Sequence, residues 1–253
     1  MINRLELKLK AQAIIRQSTN PKPLNVGLVY IAVTVLLSVL SMRLLSANIS
    51  QSDLLQILDH VENGDFDFAM RYVTDYMPSG YAYIIDYALG FVSYVISAGF
   101  IIFIFNTIRC TAPCYENLLD GFGYWWKLLV LNVLTGLFVA LWSMLLVFPG
   151  IIAAYSYRQA VYILLDHPEM GPMECIRESK RMMRGYKFDL FTLDLSFLGW
   201  KILSSLSVIG WLVSIWTTPY FGFTYALYYE QLAAIHNGSA RDAGFYHQPG
   251  DFF

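Results

Sequence analysis

YIIDYALGFVSYVISAGFIIFIFNTI, residues 83–108, decides the fold. It exceeds the roughly 20 apolar residues that carry a helix across a hydrocarbon core. Its one charged residue, Asp86, stands near its start. A run without a polar face cannot satisfy its backbone with water, so it must do so internally, as a helix. Working outward, similar runs occupy 25–45, 125–148, 151–165, 188–209 and 211–229. The expected fold is therefore all-α, a polytopic transmembrane helical bundle of about six spans with amphipathic surface helices.

Composition agrees. Apolar residues are 57% of the 253 positions and charged residues 14%, against about 45–50% and about 25% in soluble domains. The formal charge of −2 offers no bulk attraction for nucleic acid, which is excluded as a partner. Abundant Tyr, Phe and Trp suit helix ends at two headgroup interfaces. No linker divides the chain, which reads as one integral membrane domain, 1–253. The cysteines (Cys110, Cys114, Cys175) are odd in number and form no disulfide framework.

Polar segments lie outside the runs. Residues 3–17 predict a surface helix, with Leu5, Leu9 and Ala13 on one face and Arg4, Lys8 and Arg16 available to phosphate headgroups. It ends at Asn20-Pro21-Lys22-Pro23 and completes a cytoplasmic N-terminus, 1–24. The segment 46–82 is rich in Asp and Glu and carries a short amphipathic helix around Leu54–Val61. Residues 167–187 hold a second surface helix over 172–184, with Pro172 in its first turn and Gly185 as its stop. The tail is 236–253.

Lys and Arg set the orientation. They concentrate in 1–24 and, as Arg177, Lys180, Arg181, Arg184 and Lys187, in the loop after the fourth run. The positive-inside rule places both termini in the cytoplasm and 46–82 opposite. The same five cations are candidates for contact with lipid headgroups, anionic at the cytoplasmic face, each attracting by about 1 kcal/mol near the surface. The alternative is charge that serves topology alone.

The two last hairpins share a pattern: a proline (Pro149, Pro219) followed six residues later by a tyrosine (Tyr155, Tyr225). Duplication and chance both account for it.

Around Ser179-Lys180-Arg181-Met182-Met183-Arg184-Gly185-Tyr186-Lys187, continuing to Leu198-Gly199-Trp200, the chain resembles a bacterial membrane family, domain of unknown function 975. The resemblance extends to Pro149-Gly150-Ile151-Ile152, Tyr155, Tyr157-Arg158, Pro219-Tyr220 and Tyr228-Tyr229, and to the opening Leu5-Glu6-Leu7-Lys8 with Ala11. The chain departs from the pattern at the Ser18–Pro23 junction and at Lys201. The resemblance implies the fold and a bacterial plasma membrane as the location, but supplies no reaction.

Asp86, Arg158, Asp194 and Lys201 lie at or within the apolar runs. A charge there costs about 2.5–3.5 kcal/mol on insertion scales, so each requires a partner, water or headgroup access. Asp194 and Lys201, seven apart, share a helical face, and Arg158 is a candidate partner for Asp194. They read either as a polar site inside the bundle or as a structural ion pair.

Catalytic and cofactor signals are weak. Cys110-x3-Cys114 lacks paired metal-ligand spacing, no Gly-x-Ser-x-Gly elbow occurs, and no glycine loop cradles a phosphate. No metal, cofactor or catalytic residue is expected. The leading reading is a non-catalytic membrane component, such as an accessory partner of a transport or export system with a membrane-protein partner. A small-solute or lipid transporter with a polar site near Arg158 and Asp194, and an intramembrane enzyme acting on lipids, are the alternatives.

Overall fold

A computed structural model describes residues 2–18, 21–45, 51–67, 70–71, 80–204 and 209–238. Among them helix dominates and no strand occurs. The chain forms two compact units, Val33–Tyr94 and the combination of Met1–Ala32 with Val95–Phe253.

The first helix, α1, is Arg4–Gln17, capped by the Asn3 side chain, which accepts the Glu6 N–H at 3.4 Å. It presents Leu7, Ala11 and Ile15 inward and leaves Leu5 and Leu9 exposed. The next helix, α2, is Pro23–Leu45. Its proline sits at the first helical position, where no intrahelical N–H is needed. Within the acidic segment, α3 runs Gln51–Glu62 and α4 covers Gly80–Ile108.

After a loop, a short α5 (Asn117–Asp120) and a 3-10 turn (Gly121–Tyr124) lead into α6, Trp125–Leu145. Two glycines place this entry. A Cβ on Gly99 would lie 2.1 Å from the Leu118 carbonyl oxygen, and one on Gly121 would lie 2.3 Å from that of Val95. Backbone thus meets backbone between α4 and the 117–121 turn. Gly210 is also closely approached, by Ser204, whereas Gly90, Gly136 and Gly199 have open space where a side chain would go.

The hairpin expected to break at Pro149-Gly150 turns earlier, at extended Leu146, and α7 begins at Val147 and ends at Tyr157. Pro149 then falls in the first turn of a helix, where its missing N–H costs nothing. The fourth run is not one helix: α7 is followed by α8, Ala160–Asp166. The break has a visible cause. The buried Ser179 hydroxyl accepts the Gln159 N–H at 3.2 Å and donates to the Ser156 carbonyl at 2.7 Å. A side chain inserted into the ladder in this way interrupts a helix.

The basic helix α9 is Pro172–Met182, with the Glu174 carboxylate accepting the Gly171 N–H at 3.0 Å and Gly185 at φ +90° beyond its end. The fifth run is likewise split, into α10 (Lys187–Ser196) and α11 (Leu198–Ser204), because the Phe197 N–H turns back to the Asp194 carbonyl. The last helix, α12, is Ile209–His236 with Pro219 inside it. The ring of Pro219 lies 3.3 Å from where a Cβ on Gly27 would be, so glycine admits α2 there.

Three helical stretches are long and apolar enough to cross a membrane: Pro23–Leu45, Gly80–Ile108 and Asn117–Leu145. The share of their most apolar windows buried by the protein is 0%, 44% and 11%. Most of that apolar surface is therefore left uncovered by the described residues, and a bilayer is the solvent that would cover it. In the larger unit α4 meets α8 and the C-terminal half of α12 through Phe105, Tyr162 and Tyr229, and Phe103, Leu164, Phe223 and Tyr228 are buried.

Candidate functional site

Asp194 is the centre of the side-chain cluster that joins α7, α10, α11 and α12. Arg158, at the C-terminal end of α7, reaches it with two nitrogens, Nη1 to Oδ2 at 2.5 Å and Nη2 to Oδ1 at 3.3 Å. Tyr155 donates its hydroxyl to Oδ2 at 2.9 Å, and Tyr225 donates to Oδ1. The Lys201 ammonium stands 3.6 Å from Oδ1. The two tyrosines are those that follow Pro149 and Pro219 by six residues, so the repeated pattern meets at one carboxylate.

A carboxylate offers about four lone-pair positions, and here four hydrogen bonds use them. The guanidinium also lies over the Tyr225 ring, 4.7 Å from its centroid, a favourable cation–π position. Asp194 is 12% exposed, Arg158 35% and Lys201 46%, so the carboxylate is enclosed by its own partners while both cations retain access outward. Chemically the cluster is saturated: no acceptor position of Asp194 is left to take a proton from, or give one to, a bound molecule.

The fourth residue singled out within the apolar runs is elsewhere. Asp86, on α4, accepts a hydrogen bond from Ser41 of α2. Beside them is a 320 Å³ hollow lined in part by Ser38, Ser93 and Gly90.

A second charged cluster went unread in the sequence. Arg109, just past α4, bonds Asp166 at 2.6 Å and Glu230 at 2.7 Å, while Tyr229 donates to Asp166 at 2.9 Å. Its members are 57 and 121 residues apart, so no local spacing announces it. Burial alone would raise the Asp166 carboxyl, but the Arg109 hydrogen bond and charge outweigh it and hold the group below the usual carboxylate range. Arg109 is correspondingly held above its ordinary value by the two carboxylates, against its own burial. These contacts tie the end of α4 to the end of α8 and to the C-terminal part of α12.

The five cations of 177–187 differ in circumstance. Arg181 pairs with Glu178 at 2.6 Å, and Glu178 also faces His236 at 3.3 Å. Arg177, Lys180 and Arg184 are exposed and Lys187 is half-buried. Lys8, expected among phosphate headgroups, instead lies over the Phe197 ring at 4.6 Å, and burial lowers its pKa.

Nothing in the described residues gathers three metal-ligating side chains. Cys110 and Cys114 are free, and burial pushes the Cys175 thiol up to about 11, so no reactive thiolate is prepared there.

These features define a class: an α-helical protein whose long apolar helices are compatible with life in a membrane. Within that class, residues 143–236 match the family described as "Protein of unknown function (DUF975)". The match holds Ser179–Trp200, on which the resemblance was read, together with Tyr155, Arg158, Asp194, Lys201 and Tyr225. The opening helix, Asp86 and Arg109 lie outside it. Comparison with curated proteins and with solved structures gives no match.

Proposed function

We propose that the chain is a non-catalytic component of the bacterial plasma membrane, an accessory partner of a transport or export system. The observation that carries this reading is the saturation of Asp194. A transport site holds its charged residue ready for an incoming solute, whereas all four acceptor positions of Asp194 are taken by Arg158, Tyr155 and Tyr225. An enzyme would need acid, base and nucleophile converging with room for a substrate, and the saturated cluster offers none of these at its carboxylate. What stays open is surface. Val133, Leu137 and Leu141 on α6 and Leu195, Leu198 and Ile202 on α10 and α11 are exposed apolar residues suited to neighbours within the bilayer.

Photocrosslinking in intact cells tests the reading. A photoreactive residue at Leu137, and separately at Ile202, is expected to give a discrete adduct with another membrane protein. Adducts with lipid alone at both positions would contradict the accessory role. Solute flux through liposomes holding only the purified chain, abolished by Asp194→Asn, would favour transport instead.

A further inference from the structure

The α6–α7 hairpin ends in one of the most exposed apolar surfaces of the described chain. Met144 is 86% exposed and Phe148 80%, and Leu145, Leu146 and Val147 between them are nearly as open. An apolar tip of this kind suits hydrocarbon or a protein neighbour and not water. At its flank runs a 320 Å³ groove whose walls are Trp142, Pro149, Ile152 and Tyr157, with Lys180 and Lys187 as its only charges.

Direction along the groove follows from one side chain. Ser179, bonded to the Ser156 carbonyl, fixes α9 beside Ser156 and Tyr157, so its neighbour Lys180 enters at that end. Pro149 lies eight residues back toward the tip, about 12 Å along the helix. Cations thus mark one end and apolar wall continues from them toward the apolar tip. No carboxylate lines the groove, and neither lysine has an ion-pair partner among the described residues.

We propose that this groove holds one acidic phospholipid of the surrounding bilayer, its phosphate between Lys180 and Lys187 and the start of an acyl chain along Ile152 and Trp142. The volume falls within the range of built ligand clefts, about 300–1,000 Å³. A zwitterionic lipid brings its own cation to the lysines and gains less. The proposal rests on the chain being embedded in a membrane, as the proposed function does, but not on its having a protein partner.

Native mass spectrometry of the full chain, released from detergent with added phosphatidylglycerol or phosphatidylcholine, tests it. One phosphatidylglycerol per chain is expected to persist, with phosphatidylcholine held about ten-fold more weakly or worse. The double variant Lys180→Gln/Lys187→Gln should abolish that preference. Ile152→Trp, which fills the apolar end and keeps both lysines, should lower retention of phosphatidylglycerol. Equal retention of the two lipids by the parent, or undiminished preference in the Gln variant, would overturn the proposal. So would competition by millimolar inorganic phosphate, which would make the site a plain anion site. None of these outcomes bears on the crosslinking result, so the groove and the accessory role fail separately.

Discussion

Tyr155 and Tyr225 donate to opposite oxygens of the same carboxylate, Asp194, one from α7 and one from α12. Each follows its proline by six residues, so a pattern repeated along the chain becomes a clamp in space. The remaining lone pairs go to Arg158, and the four contacts join three helices that are distant in sequence.

The two tyrosines should be coupled in their effect. A hydrogen bond to a charged group contributes about 1.5–3 kcal/mol. Tyr155→Phe and Tyr225→Phe are each expected to lower the thermal midpoint in detergent, with the double variant differing from the sum because both act on one acceptor. Strict additivity would show that the two hydroxyls do not share Asp194.

Ser179 bridges the break between α7 and α8. Ser179→Ala would leave the Gln159 N–H and the Ser156 carbonyl without this hydroxyl, at a cost of about 1–3 kcal/mol for unsatisfied buried groups. Thermal unfolding of the variant checks this, and an unchanged midpoint would mean that the helix closes across the break without Ser179.

At Gly99 the space is shorter than any van der Waals contact. Gly99→Ala places a methyl 2.1 Å from the Leu118 carbonyl oxygen, and backbone must move to admit it. Gly136→Ala, where nothing lies within 4 Å, is the control. The first should lower folded yield and the second should leave it unchanged or raise it slightly. Equal yields would contradict the close approach of α4 to the 117–121 turn.

Arg109 and Asp166 give the chain an acid-sensitive tie. An unperturbed aspartate ionises near pH 3.9, and the folded value of Asp166 is lower. The folded state therefore gains stability above about pH 3.9, and that gain is lost as pH falls through the folded value. Asp166→Asn should lower the thermal midpoint at pH 6 and narrow its difference from the parent as pH approaches 3. A difference that widens toward acid pH would reverse the assignment.

Much of this was legible in the sequence for identifiable reasons. The break between α1 and α2 and the two ends of α9 were announced by Pro23, Pro172 and Gly185, whose backbone preferences act locally. Arg158 and Asp194 stood out because charge inside an apolar run demands an explanation. Three things were not legible. The face that α1 buries, Leu7, Ala11 and Ile15, has the same helical spacing as Leu5, Leu9 and Ala13, and only the surface opposite decides between them. The breaks within the fourth and fifth runs come from Ser179 and from the Phe197 turn, which hydropathy does not register. The Arg109 cluster depends on partners brought together by the fold alone.

Charge placement predicts sidedness on its own. A cysteine probe at Asn63 in the acidic segment should be labelled from outside intact cells, and one at Arg177 should be labelled only after the membrane is opened. Labelling of both in intact cells would overturn the positive-inside assignment.

The central claim, that Asp194 is a structural lock and not a working site, is tested most directly by a double-mutant cycle on Arg158 and Asp194. Removing one member of a buried pair costs about 3–5 kcal/mol, with the lower end expected here because Arg158 keeps 35% exposure. Arg158→Leu and Asp194→Leu should each reduce the yield and thermal midpoint of the detergent-purified chain, and the double change should recover part of the loss. Losses that simply add would contradict the lock.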